Sequence, residues 1–286
     1  MSEFDIFNII YLIAITALTV LFVVHTILTR KKFELKSITF DEYFRYWLIH
    51  HQVKTPAEEI RGPLRPYLKP FFVVGKLYAR TGITANKLTI LGLLWAFWAL
   101  ECWFLGGNWI LLSVLFVILS GTTDSLDGVV ALLTNTESKF GAWLDAVLDK
   151  FGDILWVAGP IYFLFVAARD AGVYDNFWLT LLTVVGLVGF LFAIIQEYCR
   201  ARYEGLGLSQ NIPVIGERIS RLGFVIVMTA CIGFSNVLTW LNPTLDFINV
   251  NIWMWTYIIP ICFFGLLVFS ILSIVQLTRH VQKNLK

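Results

Sequence analysis

"TDSLDGVVALLTNTESKFGAWLDAVLDKFGD", residues 123–153, decides how the chain reads. It sets Asp124, Asp127, Asp145 and Asp149 at the adjoining ends of two strongly apolar runs, with Asp153 one turn further on. One carboxylate at the centre of a membrane helix costs about 2.5–3.5 kcal/mol. Four in one place demand compensation, and the type of compensation points to the function.

That the runs belong to a membrane follows from composition. Hydrophobic residues make up 58% of the 286 and charged residues 15%, and the mean hydropathy is +0.74, outside the range of soluble domains. Seven stretches are long enough to cross a bilayer as helices: 6–28, 88–105, 109–133, 141–168, 177–199, 222–240 and 251–277. The first is too long for a signal core and lacks flanking basic and cleavage segments, so it reads as a retained anchor. With the amino terminus outside, 20 of the 22 basic residues fall on the cytoplasmic side, the orientation that positive charge dictates. The aspartates then lie at the cytoplasmic face.

Other features narrow the class. Cys102, Cys199, Cys231 and Cys262 are scattered without metal-ligand spacing. The basic inner face suits anionic membrane lipids, and no nucleic-acid partner is expected. "FDEYFRYWLIHH" (40–51) and "GPLRPYLKPFFVVGKLYARTG" (62–82) mix aromatic, basic and apolar residues and read as interfacial segments along the inner leaflet. His50 and His51 read as a solvated or headgroup-facing pair. The chain divides into an anchor (1–29), a juxtamembrane segment (30–82), a helical core (83–278) and a tail (279–286).

On the third span, Asp124, Asp127, Gly128 and Ala131 recur at i, i+3, i+4, i+7 and share one face. On the fourth, Gly141, Asp145 and Asp149 are spaced by four. A loop of about seven residues makes the two spans antiparallel neighbours whose carboxylates face each other. Divalent cations are the simplest compensation, and oxygen donors without clustered His or Cys select Mg²⁺ or Mn²⁺. An intramembrane carboxylate cluster also suits an ion or polar-solute transporter. The small residues on the carboxylate faces favour a site that admits a bulky nucleotide.

The spacing resembles the signature of the CDP-alcohol phosphotransferases, D-x2-D-G-x2-A-R-x8-G-x3-D-x3-D. Asp124, Asp127, Gly128, Ala131, Gly141, Asp145 and Asp149 fall in register, and Leu132 stands where the family has Arg. At ordinary residue frequencies, seven matches at one start have a chance on the order of 10⁻⁸. "GITANKLTILG" (82–92), "YCRARYEGLG" (198–207) and "GERISR" (216–221) also resemble family segments.

The resemblance implies an all-α polytopic bundle, a six-helix core with one added N-terminal transmembrane helix, and a homodimer, as the family generally is. It implies two divalent cations held by Asp124, Asp127, Asp145 and Asp149. A CDP-linked lipid donor would bind over Gly128, Ala131, Gly141 and Asp124, and Asp149 would act as general base on a small polar alcohol, releasing CMP. Arg200, Arg202, Arg218 and Arg221, read as one loop from 200 to 221, serve orientation and anionic-lipid contact or bind an acceptor phosphate. Their surroundings look most like the branch that uses inositol phosphate, with glycerol 3-phosphate second. A catalytically weak scaffold relative is the reading that Leu132 keeps open.

Overall fold

The computed structural model describes residues 3–50, 56–60, 64–168, 172, 175–206, 218–241 and 247–284. His51, Arg169, residues 207–217 and the side chain of His50 lie outside the described residues. Those described form nine α-helices: α1 (Glu3–Leu28), α2 (Phe40–His50), α3 (Leu64–Thr81), α4 (Ala85–Leu105), α5 (Trp109–Thr134), α6 (Lys139–Phe163), α7 (Asn176–Gly205), α8 (Arg218–Leu241) and α9 (Phe247–Asn284). A π-helical turn, Leu164–Ala168, extends α6.

Six of these helices are long and apolar enough to cross a membrane. The expected span over 141–168 is the exception. Helix α6 has the length, but Lys139, Asp145, Asp149, Lys150 and Asp153 lower its apolarity. It nevertheless runs alongside α4, with Gly152 near Ala96 and Gly159 against the Trp103 ring. Other helices overrun their expected ends. Helix α7 has 30 residues, about 45 Å at 1.5 Å per residue, against a hydrocarbon core of roughly 30 Å. Hydropathy marks only the part inside lipid, so the polar extension to Gly205 escapes it.

The connection carrying the motif is tighter than expected. Helix α5 ends at Asn135 in the left-handed conformation, φ 56°, which asparagine tolerates. Ser138 then caps α6, its Oγ accepting from the Gly141 amide at 3.0 Å. Only residues 135–138 separate the helices, so the aspartate-bearing turns are held close.

Helix α4 is the hub, packed against α1, α5 and α6, while α8 joins α5 and α9, and α7 lies along α9. Small residues permit these approaches, since lipid supplies no hydrophobic drive between helices. A Cβ on Gly233 of α8 would stand 2.5 Å from the Leu111 backbone nitrogen of α5. Ala96, Ala99, Val117, Trp156 and Val225 fill the centre, where four helices meet.

Helix α1 is tied to α4 near both ends. Tyr11 donates to the Phe97 carbonyl at 3.2 Å, and Trp98 donates to Thr19 Oγ1 at 2.9 Å. The Lys87 ammonium donates to the Thr29 carbonyl and hydroxyl at 3.2 and 2.6 Å, satisfying the chain just past the α1 C-terminus. The remaining faces of α1 are apolar and exposed.

The juxtamembrane segment folds onto the end of α5. Thr39 and Glu42 form a reciprocal capping box at the start of α2, with the Thr39 amide donating to Glu42 at 2.6 Å. That bond holds the Glu42 carboxyl below its ordinary range. Tyr43, Phe44 and Leu48 of α2 and Leu68 and Phe72 of α3 then pack with Leu126, Val129, Leu132 and Leu133 of α5. Arg65 pairs with Asp41, and Tyr46 with Glu137, around the edge.

Leu132, the departure from the signature, is therefore a core residue at 5% exposure. An arginine there would meet aromatic and aliphatic side chains. Leu132→Arg is expected to destabilise the protein by roughly 3 kcal/mol, the scale of an uncompensated buried charge, while Leu132→Met is tolerated. Melting temperatures of the two variants in detergent check this; an unchanged value for the arginine variant would remove Leu132 from the core.

Candidate active site

Helices α5 and α6 bring their carboxylates together about two to three helical turns from the short connection. One oxygen each from Asp124, Asp145 and Asp149 lies within 4.8 Å of the others. Asp127 is set deeper, at 7% exposure, and its Oδ2 accepts from Thr89 Oγ1 at 2.6 Å. Four of the residues expected from the signature thus share one site.

Cationic side chains reach the cluster from α6 and α8. Arg218 Nη1 lies 2.6 Å from Asp149 Oδ2 and 3.2 Å from Asp124 Oδ2, though without a directed hydrogen bond at that nitrogen. Its Nε donates to Asp153 Oδ1 at 3.2 Å, and its guanidinium lies over the Trp156 ring. Arg221 Nη2 pairs with Asp153 at 3.1 Å and Glu197 at 2.7 Å, and Nη1 donates to Gln196 at 3.1 Å. Lys150 stands 3.4 Å from Asp153 and 3.6 Å from Glu197.

This corrects the expectation of a four-arginine loop. Arg218 and Arg221 occupy the first turn of α8, three residues apart on one face. Arg221 is buried among carboxylates, so its charge is already committed to holding α6, α7 and α8 together. Arg200 and Arg202 sit near the end of α7. Arg218 touches Asp124 and Asp149 of the signature. The sequence carries no local signal for this, because 65 or more residues separate Arg218 from Asp153 and the other carboxylates it meets.

The small residues have different surroundings. A side chain built on Gly128 would meet no atom within 4 Å, so an open volume adjoins Asp127 there. Gly141 is confined instead: a Cβ would lie 3.1 Å from both Asn86 Oδ1 and Ser138 Oγ. Ala131 lies one helical turn beyond Gly128 on α5 and is partly exposed.

The donor set fits divalent metal. Asp124, Asp149, Asp153 and Glu197 pair with Lys150, Arg218 and Arg221, whereas Asp127 accepts from Thr89 and Asp145 joins the oxygens of Asp124 and Asp149. Asp145 Oδ1 is buried with no hydrogen-bond partner. An orphaned carboxylate oxygen facing two more is costly unless a cation meets it, and all the donors are hard oxygens.

Residues 82–260 match the family described as CDP-alcohol phosphatidyltransferase. The chain belongs to that family. Membership makes it a membrane enzyme that transfers a substituted phosphate group from a CDP-linked donor to an alcohol, which removes the transporter reading. An archaetidylinositol phosphate synthase of Pyrococcus horikoshii is 34% identical over 158 residues, 54% of this chain and 76% of that one. A phosphatidylinositol phosphate synthase of Cutibacterium acnes is 30% identical over 163 residues, 55% and 71% of the respective chains. The same fold occurs in phosphatidylinositol phosphate synthase of Mycobacterium tuberculosis, solved with manganese and citrate, at TM-score 0.56 and 22% identity over 74% of this chain and 88% of that one. The structure of that enzyme with CDP-DAG bound gives 0.55 and 21%, covering 73% and 92%.

Asp153 is the hub of this ion-pair network, since among the described residues it meets all three of Lys150, Arg218 and Arg221. Asp153→Asn is expected to cost about 3 kcal/mol or more, a fall of about 6–12 °C in melting temperature for a chain of this size. Lys150→Gln, at a one-third exposed position, is expected to cost much less. Equal shifts would show that Asp153 is not the hub.

Proposed function

We propose that the protein joins a CDP-linked lipid to a phosphorylated polyol, inositol 1-phosphate first and glycerol 3-phosphate second, with release of CMP. The observation that carries this is Arg218 bridging Asp124 and Asp149, which sets a phosphate-binding guanidinium directly beside the carboxylates of a CDP-alcohol site. The relatives named as inositol phosphate lipid synthases support the choice of acceptor. Manganese in the M. tuberculosis enzyme supports the choice of metal.

In this reading Asp124, Asp127, Asp145 and Asp149 hold two divalent cations, Mg²⁺ or Mn²⁺. Bound there, the cations would neutralise the donor's pyrophosphate and the departing CMP. The open volume at Gly128, with Ala131 beyond it, receives the nucleotide, and Gly141 and Asp124 border it. The acceptor hydroxyl attacks the lipid-linked phosphorus, the bond to CMP breaks, and Asp149 takes the hydroxyl proton. Arg218 fixes the acceptor's own phosphate next to Asp149, so the hydroxyl is delivered to the base by position. Arg200 and Arg202 extend that anionic subsite. Arg221 acts through Asp153, holding Arg218 in place. The site lies at the cytoplasmic face with the amino terminus outside, and the enzyme is a homodimer.

The test is CMP release from radiolabelled CDP-lipid by purified protein with Mn²⁺ or Mg²⁺ and a panel of acceptors. Inositol 1-phosphate is expected to be the best substrate, chelation of metal to abolish turnover, and Asp149→Asn to lower it by about 10²–10⁴-fold. Transfer to unphosphorylated inositol or serine with inositol phosphate inert would overturn the acceptor assignment. Gly128→Leu is expected to fold, because its side chain enters open space, yet to lose donor binding in a CDP-lipid binding assay. Normal binding would place the nucleotide elsewhere.

A further inference from the structure

We infer that Thr89 is a positioning residue for the cation site, fixing the Asp127 carboxylate in the orientation in which it serves as a ligand. This rests on the reading of the aspartates as a metal site. Thr89 belongs to α4, a helix that supplies none of the four signature aspartates.

Two acceptors lie within reach of its single hydroxyl proton. A threonine inside a helix ordinarily donates to the carbonyl four residues back, and here the Ala85 carbonyl is 3.2 Å away. Asp127 Oδ2 is nearer, at 2.6 Å, and a charged acceptor makes the stronger bond. Both side chains are buried, each at 7% exposure, so water does not compete for the contact. The proton is turned from the helix backbone to the carboxylate.

That bond engages one lone pair of Oδ2 and sets the plane of the carboxylate. The same hydroxyl-bearing side chain lines a cavity of about 10 Å³ with Ser120, Thr123, Asp124, Asp145 and Asp149, which is near the minimum for one water. Ligand orientation at Asp127 therefore depends on how α4 sits against α5. Gly92 keeps that approach close: a Cβ there would stand 2.4 Å from Thr123 Oγ1. A hydrogen-bond partner behind a metal-ligating carboxylate typically contributes about 10–100-fold in affinity.

The test is Mn²⁺ binding to purified protein without substrate, read from the electron paramagnetic resonance signal of free Mn²⁺. Thr89→Val keeps the shape and removes the donor; it is expected to weaken binding at least tenfold. Thr89→Ser restores the donor and is expected to bind within threefold of the natural protein. Val at natural affinity, or Ser as weak as Val, would overturn the inference. So would folding of Thr89→Ser alone, with Thr89→Val and Thr89→Ala both unfolded, since the hydroxyl would then serve the fold. Natural protein that binds no Mn²⁺ would overturn the metal reading, and the inference with it.

Discussion

The repulsion among Asp124, Asp127, Asp145 and Asp149 is the constraint around which the bundle is built. Carboxylates this close, with one oxygen each of Asp124, Asp145 and Asp149 within 4.8 Å of one another, separate, protonate or find cations at the edge of a low-dielectric bilayer. Separation is prevented by the four-residue connection between α5 and α6 and by Thr89 holding Asp127 from α4. Arg218 answers part of the charge from α8. The rest of the demand is what suits Asp124, Asp145 and Asp149 to a divalent cation.

The scaffold places that demand on rigid elements. Helices α4, α5, α6 and α8 meet around Ala96, Val117, Trp156 and Val225 just beneath the carboxylates. Trp156 serves twice, as core residue and as the ring under Arg218. Asp153 and Glu197 anchor Arg221, and Asp153 also anchors Arg218, so the arginine that pairs with Asp124 and Asp149 is held from behind by a buried network. On the proposed reading, binding and proton transfer at these carboxylates would need little reorganisation, the condition under which electrostatic catalysis is strongest.

The parts legible in the sequence were those governed by local periodicity. The i, i+3, i+4, i+7 pattern from Asp124 to Ala131 and the four-residue spacing from Gly141 to Asp149 anticipated two facing helices and a shared cluster. Hydropathy found the helices but not their ends, because α7 and α9 continue as helix past the apolar stretch. The role of Leu132 was not legible, since the core cluster it joins draws Tyr43, Phe44, Leu68 and Phe72 from 60 to 89 residues earlier, in segments that read as interfacial. Arg218 was placed in a loop for a related reason. Its neighbours are polar, so periodicity did not show a helix beginning there, and its contacts with Asp124, Asp149 and Asp153 exist only in three dimensions.

The most direct measurement is an anomalous-scattering map from crystals of the protein grown with Mn²⁺. Two peaks are expected, each within about 2.0–2.6 Å of oxygens from Asp124, Asp127, Asp145 and Asp149. No peak at those carboxylates under saturating Mn²⁺, with the Arg218 pairs to Asp124 and Asp149 unchanged, would contradict a cation-dependent site.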